Sequence, residues 1–247
     1  MEKAVNKEKR TFVGNIATVH NFLNLDSARF ERKFYISSLT KHEICALVRL
    51  NSVMFKEVFY ERTVNNIYLD SYSLHNYREN VIGSQSRLKV RIRWYGETFG
   101  LAEKPTLELK IKEGLVGWKD SYRLKSFLIE SGFDYCTIID LIKSSDIPDR
   151  LKLFVGLLEP ALLNSYQRKY YLSTDGKFRI TIDTDMSFTK IGIFNNCFVN
   201  RSQNYTDTIL ELKYEPEYDS MAHEITRFFP FRITKSSKYV SGIDTLK

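Results

Sequence analysis

Residues 87 to 93 read Arg-Leu-Lys-Val-Arg-Ile-Arg. In a β-strand this period of two sends Arg87, Lys89, Arg91 and Arg93 to one face and Leu88, Val90 and Ile92 to the other. The aliphatic face belongs in a core. The cationic face is suited to anion binding: a guanidinium holds phosphate oxygens bidentately, and an ammonium acts as a compact point charge. Left alone, a row of like charges repels itself. Water, carboxylates or a bound polyanion must offset that repulsion.

The row has company. Glu31 and Lys33 share one face of their strand with Phe34 and Ile36 on the other, and the same face-sharing recurs in Glu108, Lys110 and Lys112; Tyr166 and Arg168; Arg179 and Asp183; and Glu211 and Lys213. A solvated outer face explains such alternation on any one strand. Across the set that explanation weakens, because Arg and Lys dominate and single carboxylates recur beside a lysine. Closing the sheet into a barrel resolves the conflict: the charged faces line a polar tunnel and the apolar faces pack under helices. The few carboxylates then become candidates for a hard divalent cation.

Composition bounds the rest. The 247 residues carry a formal net charge of +7, and 43% are hydrophobic, with 14% aromatic and only 5 Pro. This describes a folded basic domain with an anionic partner and argues against disorder. Cys45, Cys136 and Cys197 have no metal-ligand spacing and are odd in number. They read as small buried hydrophobes in a reducing, cytoplasmic compartment. No apolar run reaches the roughly 20 residues that span a bilayer, and the charged start has no apolar stretch behind it. His20, His42, His75 and His223 show no ligand-like pairing. The basic residues among the first ten lack interleaved aromatics, so no nucleic-acid partner is expected.

The elements that must position these residues follow from period and punctuation. Residues 1–28 form an irregular, partly mobile extension, and residues 29–247 form one α+β domain. Strands are expected over 30–37, 64–70, the opening row, 106–113, 165–172, 178–186 and 209–214. Thr40 caps a helix carrying Ile44, Leu47, Val48 and Leu50. Asp70 caps a short helix over about 71–80 rather than binding metal. A helical insertion is expected over 122–160, punctuated by Pro148 and Pro160. A helix over 217–229 turns Met221, Ile225, Phe228 and Phe229 inward, and residues 235–239 close the chain.

With these residues in place, the chain resembles the catalytic domain of the VTC-type polyphosphate polymerases, within the triphosphate tunnel metalloenzymes (the CYTH-like superfamily). The matching stretches are Phe30-Glu-Arg-Lys-Phe34; Ile67-Tyr-Leu-Asp70 followed by Tyr77; Arg87 to Gly96; Leu107-Glu-Leu-Lys-Ile-Lys112; Tyr166-Gln-Arg168; Phe178-Arg-Ile-Thr-Ile-Asp183; Leu210-Glu-Leu-Lys-Tyr214; and Ser236-Ser-Lys-Tyr239. Each motif alone is moderately specific, but together they stand in the family's order over nearly the whole chain.

The resemblance implies an eight-stranded antiparallel barrel and transfer of the ATP γ-phosphate to a growing polyphosphate chain, with Mn²⁺ or Mg²⁺. It implies that Lys33, Arg91, Arg93, Lys110, Arg168, Arg179 and Lys238 grip phosphates at the reacting centre. Tyr166 hydrogen-bonds the chain. Arg87, Lys89, Lys112, Lys119, Lys213, Lys235 and Ser237 extend the substrate site. Glu211 holds the metal, and Glu31, Glu108 and Asp183 are second-tier metal or lysine-orienting residues.

Eukaryotic members add an SPX domain and a membrane region that these residues do not contain. A stand-alone homologue or an excised domain is therefore expected, with a membrane protein as a possible partner. The shortened Glu31-Arg32-Lys33 separates the chain from the thiamine-triphosphatase and adenylate-cyclase branches. Water in place of the phosphate acceptor would make the same site a tripolyphosphatase or nucleoside triphosphatase. A non-catalytic polyphosphate-binding module is the remaining reading.

Overall fold

A computed structural model describes residues 29–114 and 116–247. The expected N-terminal extension lies outside the described residues. One antiparallel sheet dominates. Its strands are β1 (Phe30–Ile36), β2 (Lys56–Asp70), β3 (Ser86–Tyr95), β5 (Thr106–Glu113), β6 (Val116–Arg123), β8 (Glu159–Leu172), β9 (Arg179–Lys190) and β11 (Thr208–Tyr214). The spatial order is β1-β11-β9-β8-β2-β3-β5-β6, with β10 (Arg201–Asn204) pairing β9 at the side. β4 (Gly100–Ala102) and β7 (Phe127–Ile129) make a separate two-stranded ribbon.

The expected barrel is corrected here. Among the described residues β1 and β6 do not pair, so the sheet stays open between its two edges. It is nevertheless strongly curled, because Glu31 on β1 reaches Lys110 on β5 at 3.1 Å. Side-chain charge, not backbone hydrogen bonding, spans the gap.

Alternation decides what each face does. On the convex side, Leu88, Val90, Ile92, Leu107, Leu109 and Ile111 pack with α3 (Tyr135–Ser144) and α4 (Asp149–Val155) through Ile138, Leu141, Ile142, Leu151 and Val155. A second convex core joins Phe34, Ile36, Ile180, Ile182, Leu210 and Leu212 to Ile44 and Val48 of α1 (Lys41–Arg49) and to Ala222 and Ile225 of α5 (Asp219–Arg227). Thr40 closes the expected cap on α1 as a capping box with Glu43.

Three apolar residues expected inside prove exposed: Leu50 just past α1, Met221 on α5 and Phe228 just past it. Phe229 and Ile225 fill the α5 core position instead. Cys136 and Cys197 are also exposed, and only Cys45 is buried as expected.

A third cluster lies on the concave side. Helix α6 (Lys238–Thr245) lays Tyr239 and Ile243 against Val64, Tyr68, Leu162, Tyr166, Met186 and Phe188. A Cβ at Gly242 would stand 2.4 Å from Leu162 Cδ2 and 2.6 Å from Phe188 Cδ1, so this close approach requires glycine. Asp70 anchors the helix from below. Its Oδ1 accepts the Ser71 and Asn76 amides, and its Oδ2 accepts the Tyr77 amide and the Tyr239 hydroxyl at 2.6 Å. One buried carboxylate thus caps α2 (His75–Ile82) and fixes α6.

Asp70→Ala strands three amides and a buried phenol. It is expected to lower unfolding stability by about 3 kcal/mol, whereas Tyr239→Phe costs about 1 kcal/mol. Urea melts of the two variants check the ratio.

Candidate functional site

The concave face is where the charged rows meet. β3 lies between β2 and β5, so the Arg87–Arg93 row faces Tyr68 and Asn66 on one side and Glu108, Lys110 and Lys112 on the other. Glu108 is the hub of this half. Its Oε2 accepts from Arg91 at 2.6 Å and stands 3.5 Å from Arg93, and its Oε1 accepts from Lys119 at 2.8 Å. Arg93 also donates to Asn66 Oδ1 at 2.9 Å and to the Tyr166 hydroxyl at 3.2 Å.

The other half has three hubs. Asp183, fully buried, takes both prongs of Arg168 at 2.5 and 2.6 Å and Lys238 at 2.5 Å. Arg168 and Lys238 both lie over the Tyr166 ring, 5.1 and 4.7 Å from its centroid. Glu211 accepts from Lys33 at 3.0 Å and Lys213 at 2.9 Å. Glu31 sits among Lys110, Lys213 and Lys33 at 3.1, 3.6 and 3.7 Å.

The remaining predicted residues are peripheral. Near α6, Lys89 donates to Ser237 Oγ at 2.8 Å, and Ser237 also caps α6. Arg87, Lys112 and Lys235 gather at the same end, close enough that Arg87 and Lys235 help push the Lys112 ammonium below its ordinary value, after burial. Arg179 lies at the opposite end beside Lys213, exposed and without an ion pair among the described residues.

The electrostatics record a positive field that the local carboxylates do not cancel. Lys89 is pushed well below its ordinary value, first by burial and then by Lys33, Lys110, Arg91 and Arg87. Burial, Lys33 and Lys213 lower Lys110 to about 8 against the pull of Glu31. Burial alone would raise the Tyr166 phenol, but Arg168, Arg93 and Lys238 outweigh it and bring the phenol below its ordinary value. Burial would also raise Glu211, yet Lys213, Lys33, Lys238 and Arg168 hold it well below the usual carboxylate range.

A divalent cation fits part of this donor set. No cluster of three or more acidic, His or Cys side chains able to hold a metal occurs among the described residues. Glu31 and Glu211 are close enough to repel one another, and Glu31 Oε1 is buried without a hydrogen bond. Two neighbouring carboxylates, with further oxygen ligands from elsewhere, match the way Mg²⁺-type ions bind. Asp183, Glu108 and Glu211 have their oxygens engaged by arginine or lysine, so of these four carboxylates Glu31 alone keeps an oxygen without a hydrogen bond, and a cation at Glu211 would have to displace Lys33 or Lys213.

Sequence reasoning missed Asn66, Asn164 and Tyr68. Asn66 and Asn164 are fully buried side by side, and Tyr68 reaches Arg91 at 3.5 Å while stacking on Tyr239. The signal was the polar pair Asn65-Asn66 inside an otherwise β-rich apolar run.

The fold is a curled antiparallel sheet with helices over its convex face, α6 against its concave side and a cationic concave surface. The chain belongs to the VTC domain family, whose profile matches residues 28–247. Among solved structures, a putative adenylate cyclase from Vibrio parahaemolyticus is similar at 10% identity and a TM-score of 0.50, over 87% of this chain and 99% of that one. That likeness concerns the fold. A putative adenylyl cyclase from Hippeastrum, described as having a dominant triphosphatase activity, gives 14% identity and a TM-score of 0.49 over 89% and 96% of the two chains. A protein from Pyrococcus horikoshii gives 12% and 0.48 over 88% and 99%. No curated protein sequence matches the chain.

Glu108 carries the pH test of this geometry. Burial would raise its pKa, but Arg91, Arg93 and Lys119 hold the folded-state value well below the ordinary 4.5. Its contribution to stability is therefore present above about 4.5 and lost as pH falls. Glu108→Gln is expected to cost about 3 kcal/mol at neutral pH, the scale of breaking one partner out of a buried ion cluster. It should also flatten the acid limb of a stability–pH curve measured by urea unfolding.

Proposed function

We propose that the protein is a metal-dependent polyphosphate polymerase that transfers the γ-phosphate of ATP to a polyphosphate chain held along the concave face. The observation that carries this reading is the Lys89–Arg93 row, flanked by Lys110 and Lys119 on the neighbouring strands, faced across the curl by Lys33 and Arg168, and opposed among the described residues by Glu31, Glu108, Asp183 and Glu211. Membership of the VTC domain family supports it.

The residues divide by what they touch. Arg91, Arg93, Lys33, Lys110, Arg168 and Lys238 neutralise the transferring and acceptor phosphates, with Arg179 at the open end. Tyr166, which can accept from Arg93 and is packed under Arg168 and Lys238, orients a phosphate oxygen by its hydroxyl. Arg87, Lys89, Lys112, Lys119, Lys213, Lys235 and Ser237 hold more distant parts of the chain. Glu108 and Asp183 orient cations, and Glu211 and Glu31 hold the divalent cation, Mn²⁺ or Mg²⁺.

When bound, that cation would supply further neutralisation of phosphate charge. Phosphoryl transfer asks the protein for little covalent chemistry, so positioning and electrostatics suffice. The acceptor is a terminal phosphate oxygen that is already ionised, and no general base is required. The reaction belongs in the cytoplasm, where ATP is available.

Incubation with ATP and Mn²⁺ is expected to yield polyphosphate and ADP. Orthophosphate alone would make the protein a hydrolase, and no turnover would make it a binding module. Arg93→Ala is expected to lower the rate by about 10²–10³, as for loss of one preorganised electrostatic donor. Glu211→Gln should abolish turnover while tripolyphosphate still binds.

The lowered Lys89 adds a pH signature. Folded Lys89 loses its proton before the unfolded chain does, so stability without ligand rises with pH up to the ordinary value of 10.5. Tripolyphosphate affinity falls over the same interval, and calorimetric titration at successive pH values reads both the affinity and the proton uptake.

A further inference from the structure

The concave face does not stop at the proposed phosphate grip. One strand step beyond Arg93 stands Tyr95, and one step beyond Arg168 stands Tyr170, on the same face and roughly 7 Å further along. Between them, opposite Arg168 in register, is Arg62 on β2. Its guanidinium carbon lies 5.0 Å from the Phe59 ring, 4.8 Å from Tyr95 and 4.7 Å from Tyr170. Rings hold its faces, while no ion pair or hydrogen bond engages its edge among the described residues, and its Nε is buried without a partner.

The nearby carboxylates are committed elsewhere. Glu57 pairs with Arg49 and Lys169, and Glu61 pairs with Lys41. A second orphan lies beside it: Thr181, the register partner of both Tyr170 and Glu211, has a buried Oγ1 with no hydrogen bond. The Tyr170 phenol, pushed up to about 12 by burial and Tyr95, stays protonated and can donate. Two donors without an acceptor, on Arg62 and Thr181, thus cluster beside the Tyr170 phenol at the end of the cationic face opposite α6, with Arg179 and Lys213 exposed or half-buried alongside.

We infer that Arg62, Thr181 and Tyr170 form a further phosphate subsite, one that engages polyphosphate chains extending past the central grip but not a triphosphate seated within it. The aromatic cage pre-orients the guanidinium, so little side-chain entropy is lost on binding. This subsite rests on the proposed polyphosphate function. It makes the face a path open at the end away from α6, and it gives the protein a preference for long chains.

The test is equilibrium binding of tripolyphosphate and of long-chain polyphosphate to the full chain, at several salt concentrations, for wild type, Arg62→Gln, Arg62→Lys and Thr181→Val. Arg62→Gln is expected to weaken long-chain binding about tenfold or more, the scale of a charge-assisted hydrogen bond. Tripolyphosphate binding should change by less than about twofold, and the salt slope for the long chain should fall by roughly one, as for one lost cation–phosphate contact. Arg62→Lys should recover the salt slope, and Thr181→Val should weaken only the long chain.

Unchanged long-chain binding in Arg62→Gln overturns the subsite while leaving the polymerase reading intact. So does equal weakening of both ligands, the mark of a merely structural arginine. A wild-type protein that binds neither polyanion overturns both.

Discussion

The structure depends on one electrostatic constraint: a concave face that gathers more positive charge than its own carboxylates can neutralise. Each carboxylate there serves as a hub for two or more cations, with Glu108 holding Arg91 and Lys119, Asp183 holding Arg168 and Lys238, and Glu211 holding Lys33 and Lys213. The surplus shows in Lys89, whose charge is disfavoured by burial and by the cations around it. On the proposed function, such a face is costly without a ligand and favourable when phosphates fill it. The convex cores must therefore supply the stability that the concave face withholds.

That division explains the placement of the helices. The insertion helices and α1 and α5 cover the apolar faces of the strands, leaving the charged faces to one another. Helix α6 crosses to the concave side, with Tyr77 of α2 packed against its Tyr239. It does so where Tyr68, Leu162 and Tyr166 offer an apolar seat and where Asp70 can fix Tyr239. This brings Ser237 to Lys89 and Lys238 to Asp183, so the end of the chain completes the charged network.

Much of this was legible in the sequence because a strict period of two leaves little freedom: once Leu88, Val90 and Ile92 enter a core, Arg87, Lys89, Arg91 and Arg93 must share the other face. Strand β5 was likewise read at its observed bounds, and Thr40 and Asp70 were read as caps. Closure was not legible. Whether β1 meets β6 depends on curl and edge geometry, which no local pattern encodes, and here side-chain pairs replace the missing ladder. Helix α6 was also missed, because its apolar residues are few and its stability comes from tertiary contacts with Leu162 and Phe188. Arg62 escaped because the surrounding Phe59-Tyr-Glu-Arg-Thr63 run does not alternate, and bulges at Phe59 and Arg62 shift its register.

The central claim is that the concave face is completed by a polyphosphate, and thermal unfolding with increasing tripolyphosphate tests it most directly. A ligand bound only by the folded chain stabilises it by about 2.7 kcal/mol at a hundredfold excess over Kd. The account predicts a concentration-dependent rise in Tm that orthophosphate at equal ionic strength does not reproduce and that Arg91→Ala diminishes. A Tm unmoved by tripolyphosphate, or raised equally by any salt, would contradict it.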